Sequence, residues 1–393
     1  MSYDFTTLVD RSELNSEKWS MMHQLNPDLK KGVAPFSVAD MDFKHPPEFV
    51  QGMKDYMDKI VLGYSMPGED YYDAVINWMR IRHNWNIKKE WIVITGGIIP
   101  AIFNIVQTFT EEKDGIIVLS PIYYPFYNAI EKNHRKIIAS EFDNSSGEYK
   151  INYDDLEKKA KDPNNKMILF CSPHNPVGRV WTGEEIERVG RICLDNDIKI
   201  VSDEVHFDLT MPGYKHNVFA SVSDDFNDNI ITCTAPSKSF NLAGMQTSNI
   251  IIADKETRKQ FRNKLGQNGH EVWNPLGFEA CRLSYTLCDG WLNELILQIY
   301  KNYSVLKEYL ERNLPEVKLY PLEGTYLAWM DFGYLGLSHE ELENLMIYKA
   351  QVFFDEGYIF GENGKGFERM NIACPTDVML KALERIKDSI CSL

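Results

Sequence analysis

The sequence predicts an α/β protein built on a mainly parallel sheet of seven strands covered by helices. Three observations lead there. Between about residues 90 and 255, short apolar runs rich in β-branched residues recur; helix-length amphipathic segments separate several of them; and the runs are nearly continuous in their apolarity. Continuous apolarity over so few residues marks strands buried on both faces, the condition of a parallel sheet. The predicted strands are 91–94, 116–119, 136–139, 167–171, 199–201, 230–233 and 249–252, all too brief for helices. Between them, 99–110 and 183–196 read as helices. Upstream, 47–60 and 70–84 are helical, the second placing Val75, Met79 and Arg82 on one side with Trp78 beside them. Downstream, helical periodicity runs through 276–310 with few breakers. The character then changes: 325–332 alternates like a strand, 338–350 is a helix behind a Ser338 cap, and 369–373 and 378–389 read as strand and helix. The expected organisation is a large domain over 46–290 and a smaller α+β domain over 291–393, which the N-terminal segment 1–45 joins.

Composition narrows the function classes. The 393 residues are 44% hydrophobic and 25% charged, an ordinary globular balance. Lys and Arg number 42 against 57 Asp and Glu, a formal net charge of −15. An acidic chain lacks the basic footprint of phosphate-backbone binding, so a nucleic-acid partner is not expected. The seven cysteines are odd in number, scattered and without a C-x-x-C pair, which fits neither a disulfide framework nor a zinc knuckle. The polar start lacks a signal-peptide core, and no apolar run approaches the roughly 18 residues of a membrane span. A soluble cytoplasmic protein is the expectation.

Several chemical signatures are missing. Gly361-Glu-Asn-Gly-Lys-Gly has no Ser or Thr after its lysine and no strand-to-helix context, so it is not a phosphate loop. The nine histidines show no ligand spacing, and no metal site is expected. Neither G-x-S-x-G nor an early G-x-G-x-x-G occurs. What stands out is polar residues just after predicted strands: Thr95-Gly-Gly-Ile, Ser172-Pro-His-Asn-Pro-Val-Gly, Asp203-Glu-Val-His and Pro236-Ser-Lys. In a parallel sheet that edge is where ligands bind.

Taken in order, Pro121-Ile-Tyr-Tyr-Pro-Phe, Ser172-Pro-His-Asn-Pro-Val-Gly, Ser202-Asp-Glu-Val-His, Ser237-Lys-Ser-Phe-Asn and Phe367-Glu-Arg-Met-Asn resemble the fold-type-I pyridoxal-phosphate enzymes. More narrowly, the set is similar to their carbon–sulfur β-lyase branch, the cystathionine β-lyase and cystalysin group within the class I and II aminotransferases. The likeness runs from Ser37-Val-Ala-Asp-Met-Asp-Phe to Arg369-Met-Asn-Ile-Ala-Cys-Pro, nearly end to end.

That resemblance implies pyridoxal 5'-phosphate as cofactor and assigns roles. Lys238 is the covalent anchor and later the base; a lysine must be neutral to attack a carbonyl, and desolvation or nearby positive charge favours that form. Asp203 holds the pyridine nitrogen protonated, Asn175 donates to the ring oxygen, and His206 stands where many aminotransferases have a tyrosine. Tyr123 stacks on the ring and is a candidate proton donor to the leaving sulfur. Gly97 and Ile98 hold the phosphate at a helix N-terminus with Ser237 adding a hydroxyl, and Tyr64 reaches the same phosphate from the partner subunit. Arg369 clamps the substrate carboxylate with its planar pair of donors, and Ala39 lines the substrate side, as does Asn175. Two positions depart from the wider fold type: Gln246 and Ala235 stand where an arginine and a serine are common.

The implied reaction is α,β-elimination on L-cystathionine, L-cysteine or related cysteine S-conjugates, giving pyruvate, ammonia and a thiol. Transamination is the rival, since both share proton removal from the α-carbon, and a cofactor-binding regulatory protein is a third reading. A small amino-acid substrate and a homodimer are the expected partners.

Overall fold

In the computed structural model, which describes residues 2–30, 32–272 and 274–393, the apolar runs form a seven-stranded sheet. Its strands are β1 (Ile92–Thr95), β2 (Gly115–Ser120), β3 (Lys136–Glu141), β4 (Asn165–Cys171), β5 (Lys199–Asp203), β6 (Ile230–Thr234) and β7 (Ser248–Ile251), in the order β1-β7-β6-β5-β4-β2-β3. Pairings among β2 to β6 are parallel, whereas β7 is antiparallel to both its neighbours. Two short turns, Pro236–Ser239 and Ala243–Met245, join β6 to β7 in place of a full crossover helix, so the chain doubles back. "Mainly parallel" holds.

Both faces are covered, as the continuous apolarity required. Ile116, Val118, Met167, Leu169 and Val201 pack on one face against Ile102 and Ile105 of the helix Ile98–Phe109. Ile117, Leu119, Ile168, Phe170 and Ile200 belong to the opposite core with Val189 of the helix Gly183–Asp195. Each fully buried aliphatic side chain contributes about 1.5–3 kcal/mol.

A second sheet has four antiparallel strands, β8 (Lys318–Leu319), β9 (Leu327–Asp331), β10 (Asp355–Glu356) and β11 (Phe367–Asn371), in the order β10-β11-β9-β8. The N-terminal segment docks on it through backbone bonds from Phe36 to Phe353 and from Asn371 to Phe36, each 2.8 Å. Buried charges fix the following turn: Lys18 Nζ lies 2.7 Å from both the Asp42 carboxylate and the Asp40 carbonyl, and Arg11 pairs with Asp40 and Asp42. This second sheet and the docked segment bring the 37–43 stretch over the C-terminal edge of the first.

Two local expectations need correction. The periodicity of 276–310 is two helices, Pro275–Leu287 and Asp289–Asn313, parted at Cys288 just before Gly290. The stretch 325–332 does contain a strand, β9, in which Leu327, Ala328, Trp329 and Met330 are all buried. Ser338 does cap its helix, but Leu345–Ala350 unwinds into a π-helix. Arg82 lies over the Trp78 ring and reaches Asp289 at 2.7 Å. All seven cysteines are free. Among the described residues, no helix is long and apolar enough to cross a membrane.

Candidate active site

Polar residues at the C-terminal ends of the strands converge. Gly97, Ile98, Tyr123, Asp203, Ser237 and Lys238 line one cavity of about 300 Å³. The sequence spaces them over more than a hundred residues, and the shared strand direction collects them at one edge.

Lys238 follows β6 in the turn Pro236–Ser239 and donates from Nζ to the Ala39 carbonyl at 2.8 Å. Burial, followed by the positive charge of Arg369, lowers its pKa to about 8. A sizeable neutral fraction near neutrality makes the amine a nucleophile and base. Asp203, the last residue of β5, is buried and receives one bond, from the Val205 N–H at 3.1 Å. Burial raises its carboxyl to about 7 against the opposing pull of the Val205 N–H and of Lys238. A carboxylate so placed is under-satisfied and suits a ligand bringing a cationic N–H.

The phosphate end has its own logic. The helix Ile98–Phe109 starts at Gly97 with no side-chain cap, so first-turn N–H groups face outward. Gly97 has φ +140°, a conformation that favours glycine, and a Cβ on Gly96 would meet nothing within 4 Å. Ser237, Gln246, Thr247 and Ser248 stand around the same space. Ala235 is fully buried and adds no donor. An amine for an aldehyde, a carboxylate for a ring nitrogen and N–H donors for a phosphate fit pyridoxal phosphate.

Arg369 on β11 is 1% exposed, which requires a counter-charge. Its Nη1 donates to Asn175 Oδ1 at 2.7 Å, its Nη2 to the Asp355 carboxylate, and Phe360 lies beneath at 4.6 Å. Its Nε has no protein partner. By taking the Asn175 oxygen, Arg369 leaves the amide nitrogen as the end to offer a ligand. His206 is buried, its Nδ1 is unpartnered, and burial together with Lys238 and Arg369 keeps it well below its usual pKa, hence neutral. Tyr123 packs edge-on against Tyr124 and Phe126, and burial raises its phenol. Ala39 sits by Lys238 as a carbonyl acceptor. Tyr64 is 93% exposed and is not among the residues lining this chain's cavity.

Three positioning residues had no role in the sequence reading. Asn371 Nδ2 holds the carbonyls of Val38 and Asp40 at 2.8 Å, and Asn241 exchanges two bonds with the Met41 backbone. Both asparagines stand inside the Lys238 and Arg369 motifs, a signal that was available. Asp355 belongs to no motif, and only the β10–β11 register, which sets it opposite Arg369, reveals it.

The family model for aminotransferase class I and II matches residues 31–386. The chain is 40% identical to cystathionine beta-lyase PatB of Bacillus subtilis (strain 168), covering 98% of this chain and 100% of that protein. The crystal structure of cystalysin from Treponema denticola, which contains a pyridoxal 5'-phosphate cofactor, superposes with a TM-score of 0.98 at 48% identity over 100% of both chains. The PLP-bound C–S lyase from Staphylococcus hominis gives a TM-score of 0.91 at 32% identity over 99% of both.

Proposed function

The chain belongs to the class I and II aminotransferase family as a pyridoxal-phosphate-dependent carbon–sulfur lyase, and we propose that it performs α,β-elimination on L-cystathionine, L-cysteine or related cysteine S-conjugates. The observation that carries this reading is the shared cavity of Lys238 and Asp203 at an uncapped helix N-terminus. When bound, the cofactor supplies an electron sink for negative charge on the substrate's α-carbon.

The chain's own residues do the rest. Ile98 and Gly97 N–H groups, with Ser237, would hold the phosphate; Asp203 would hold the ring nitrogen; Asn175 and His206 would serve the ring oxygen; Tyr123 would cover the ring. Lys238 Nζ would anchor the cofactor and serve as the base that takes the substrate's α-proton. Arg369 fixes the substrate carboxylate, and the Ala39 carbonyl keeps Lys238 aimed. Loss of the α-proton is followed by cleavage of the β-carbon–sulfur bond, the electron pair leaving with sulfur, which takes a proton from Tyr123 or water. Hydrolysis of the unsaturated product gives pyruvate and ammonia.

Exposed Val61, Leu62, Tyr64 and Met66 support a homodimer in which Tyr64 reaches the partner's phosphate. Free, mostly buried thiols suit a cytoplasmic setting. We retain the domain division at residues 46 and 291. Incubation with L-cystathionine and assay of pyruvate and released thiol tests the reaction. Amino transfer to a keto acid without pyruvate would establish the transaminase instead.

A further inference from the structure

The structure assigns Asp355 as a positioning residue that ties the carboxylate clamp to the turn beside Lys238; the inference rests on Arg369 being that clamp. Asp355 Oδ2 accepts from Arg369 Nη2 and also from the Val38 backbone N–H at 2.8 Å. Val38 has φ +58°, a left-handed conformation that a β-branched residue adopts only under constraint. The next residue, Ala39, supplies the carbonyl that receives Lys238 Nζ. One carboxylate therefore orients the guanidinium that meets the substrate and pins the strained turn that aims the lysine.

The arrangement leaves donors for a substrate. A guanidinium carries five N–H donors. Asn175 and Asp355 engage one each on the terminal nitrogens, while Nε faces no protein acceptor. Asp355 fixes the plane without filling every donor. A simple counter-charge would need neither the Val38 bond nor a place directly opposite Arg369 across the strand pair.

The two roles differ in sign. If Asp355 only neutralised Arg369, removing its charge would leave the guanidinium more electropositive and tighten carboxylate binding, so KM would fall. As a positioning residue, its loss frees both partners and KM rises. For Asp355→Ala in the purified holoenzyme, the expected KM for L-cystathionine rises about ten- to a hundredfold, and kcat falls by about threefold or more because the turn that aims Lys238 is released. Hydrogen exchange at the Val38 amide should speed up by about tenfold or more in the same variant. Asp355→Asn keeps an acceptor and the shape; Val38 protection should stay within about threefold, and KM should rise less than in the alanine variant. A KM at or below the wild-type value in either variant, or unaltered Val38 exchange in Asp355→Ala, overturns the assignment. Arg369→Ala separates the two claims. An unchanged KM there overturns the clamp itself, whereas a raised KM there with none in Asp355→Ala overturns the role of Asp355 alone.

Discussion

Asp203 and Glu204 are consecutive buried carboxylates at the end of one strand, and their surroundings differ sharply. Asp203 faces the cavity with a single backbone donor. Glu204 points the other way and is saturated: Oε1 accepts from Ser202 Oγ at 2.8 Å and the Phe219 N–H at 3.0 Å, and Oε2 lies 2.7 Å from His216 Nε2. Strand geometry sends successive side chains to opposite faces, so one residue step separates a ligand-facing acid from a structural one. Asp208 follows the structural pattern, with Trp78, His83 and Ser239 as partners. The lesson is that satisfaction, not burial, distinguishes the roles. Of this pair, the acid with its bonds filled holds the fold, and the one with bonds to spare faces the cavity.

The largest effect belongs to the cavity side of that comparison. Lys238→Ala removes both anchor and base, and pyruvate formation should fall by about 10⁴-fold or more with the folded state retained. A variant keeping a tenth of the wild-type rate would break the assignment. Next, Asp203→Asn should cost about 10²–10³-fold in kcat while leaving the denaturant midpoint unchanged or raised. Glu204→Ala should behave in the opposite way, losing about 2–4 kcal/mol of stability through stranded donors while its folded fraction keeps kcat within about threefold. If the two variants exchanged these phenotypes, the satisfaction argument would fail.

A pH experiment sharpens the contrast. Asp203 is raised from 3.8 to about 7 in the fold, so folding favours its neutral acid. Its penalty is absent below about pH 4, grows between pH 4 and 7, and is complete above, amounting to at most about 4 kcal/mol. The cofactor-free wild type should therefore lose stability relative to Asp203→Asn as pH rises through that window. Glu356, also raised to about 7, titrates in both proteins and cancels in the difference. Thermal midpoints of the pair at pH 4.5 and 7.5 read the effect, and parallel curves would mean that Asp203 is better satisfied than its geometry indicates.

The same distinction explains what the sequence disclosed. The seven strands were legible because burial on both faces leaves an apolar run that needs no partner to be seen. The direction of β7 was not, since periodicity is identical for parallel and antiparallel strands and the turns after Lys238 decide it. Motifs ordered along the chain singled out Asp203, Lys238, Asn175 and Arg369, and the structure brings the first two into one cavity and bonds the last two to each other. Asp355 was invisible, being one acid among 57 Asp and Glu whose partner lies across a strand pair. The difference between Asp203 and Glu204 was equally hidden: adjacent letters carry no record of His216 or Phe219 closing around one of them.

The smallest expected effect lies where satisfaction within one chain stops being a guide. Tyr64 is almost fully exposed and its reading places the hydroxyl at a neighbouring subunit's phosphate. Tyr64→Phe removes only that hydroxyl and leaves the ring to pack, so dimer mass in sedimentation should be unchanged. One hydrogen bond to a charged acceptor is worth about 1.5–3 kcal/mol, so pyridoxal phosphate should bind the cofactor-free variant about ten- to a hundredfold more weakly. Pyridoxal without its phosphate should bind wild type and variant alike, because the lost donor has nothing to meet. Equal weakening for both ligands would assign Tyr64 to interface packing; a monomer in sedimentation would remove the phosphate role altogether. Either result would confine the ligand-facing set to groups within one chain, with the uncapped helix at Gly97 and the hydroxyl of Ser237 holding the phosphate without help.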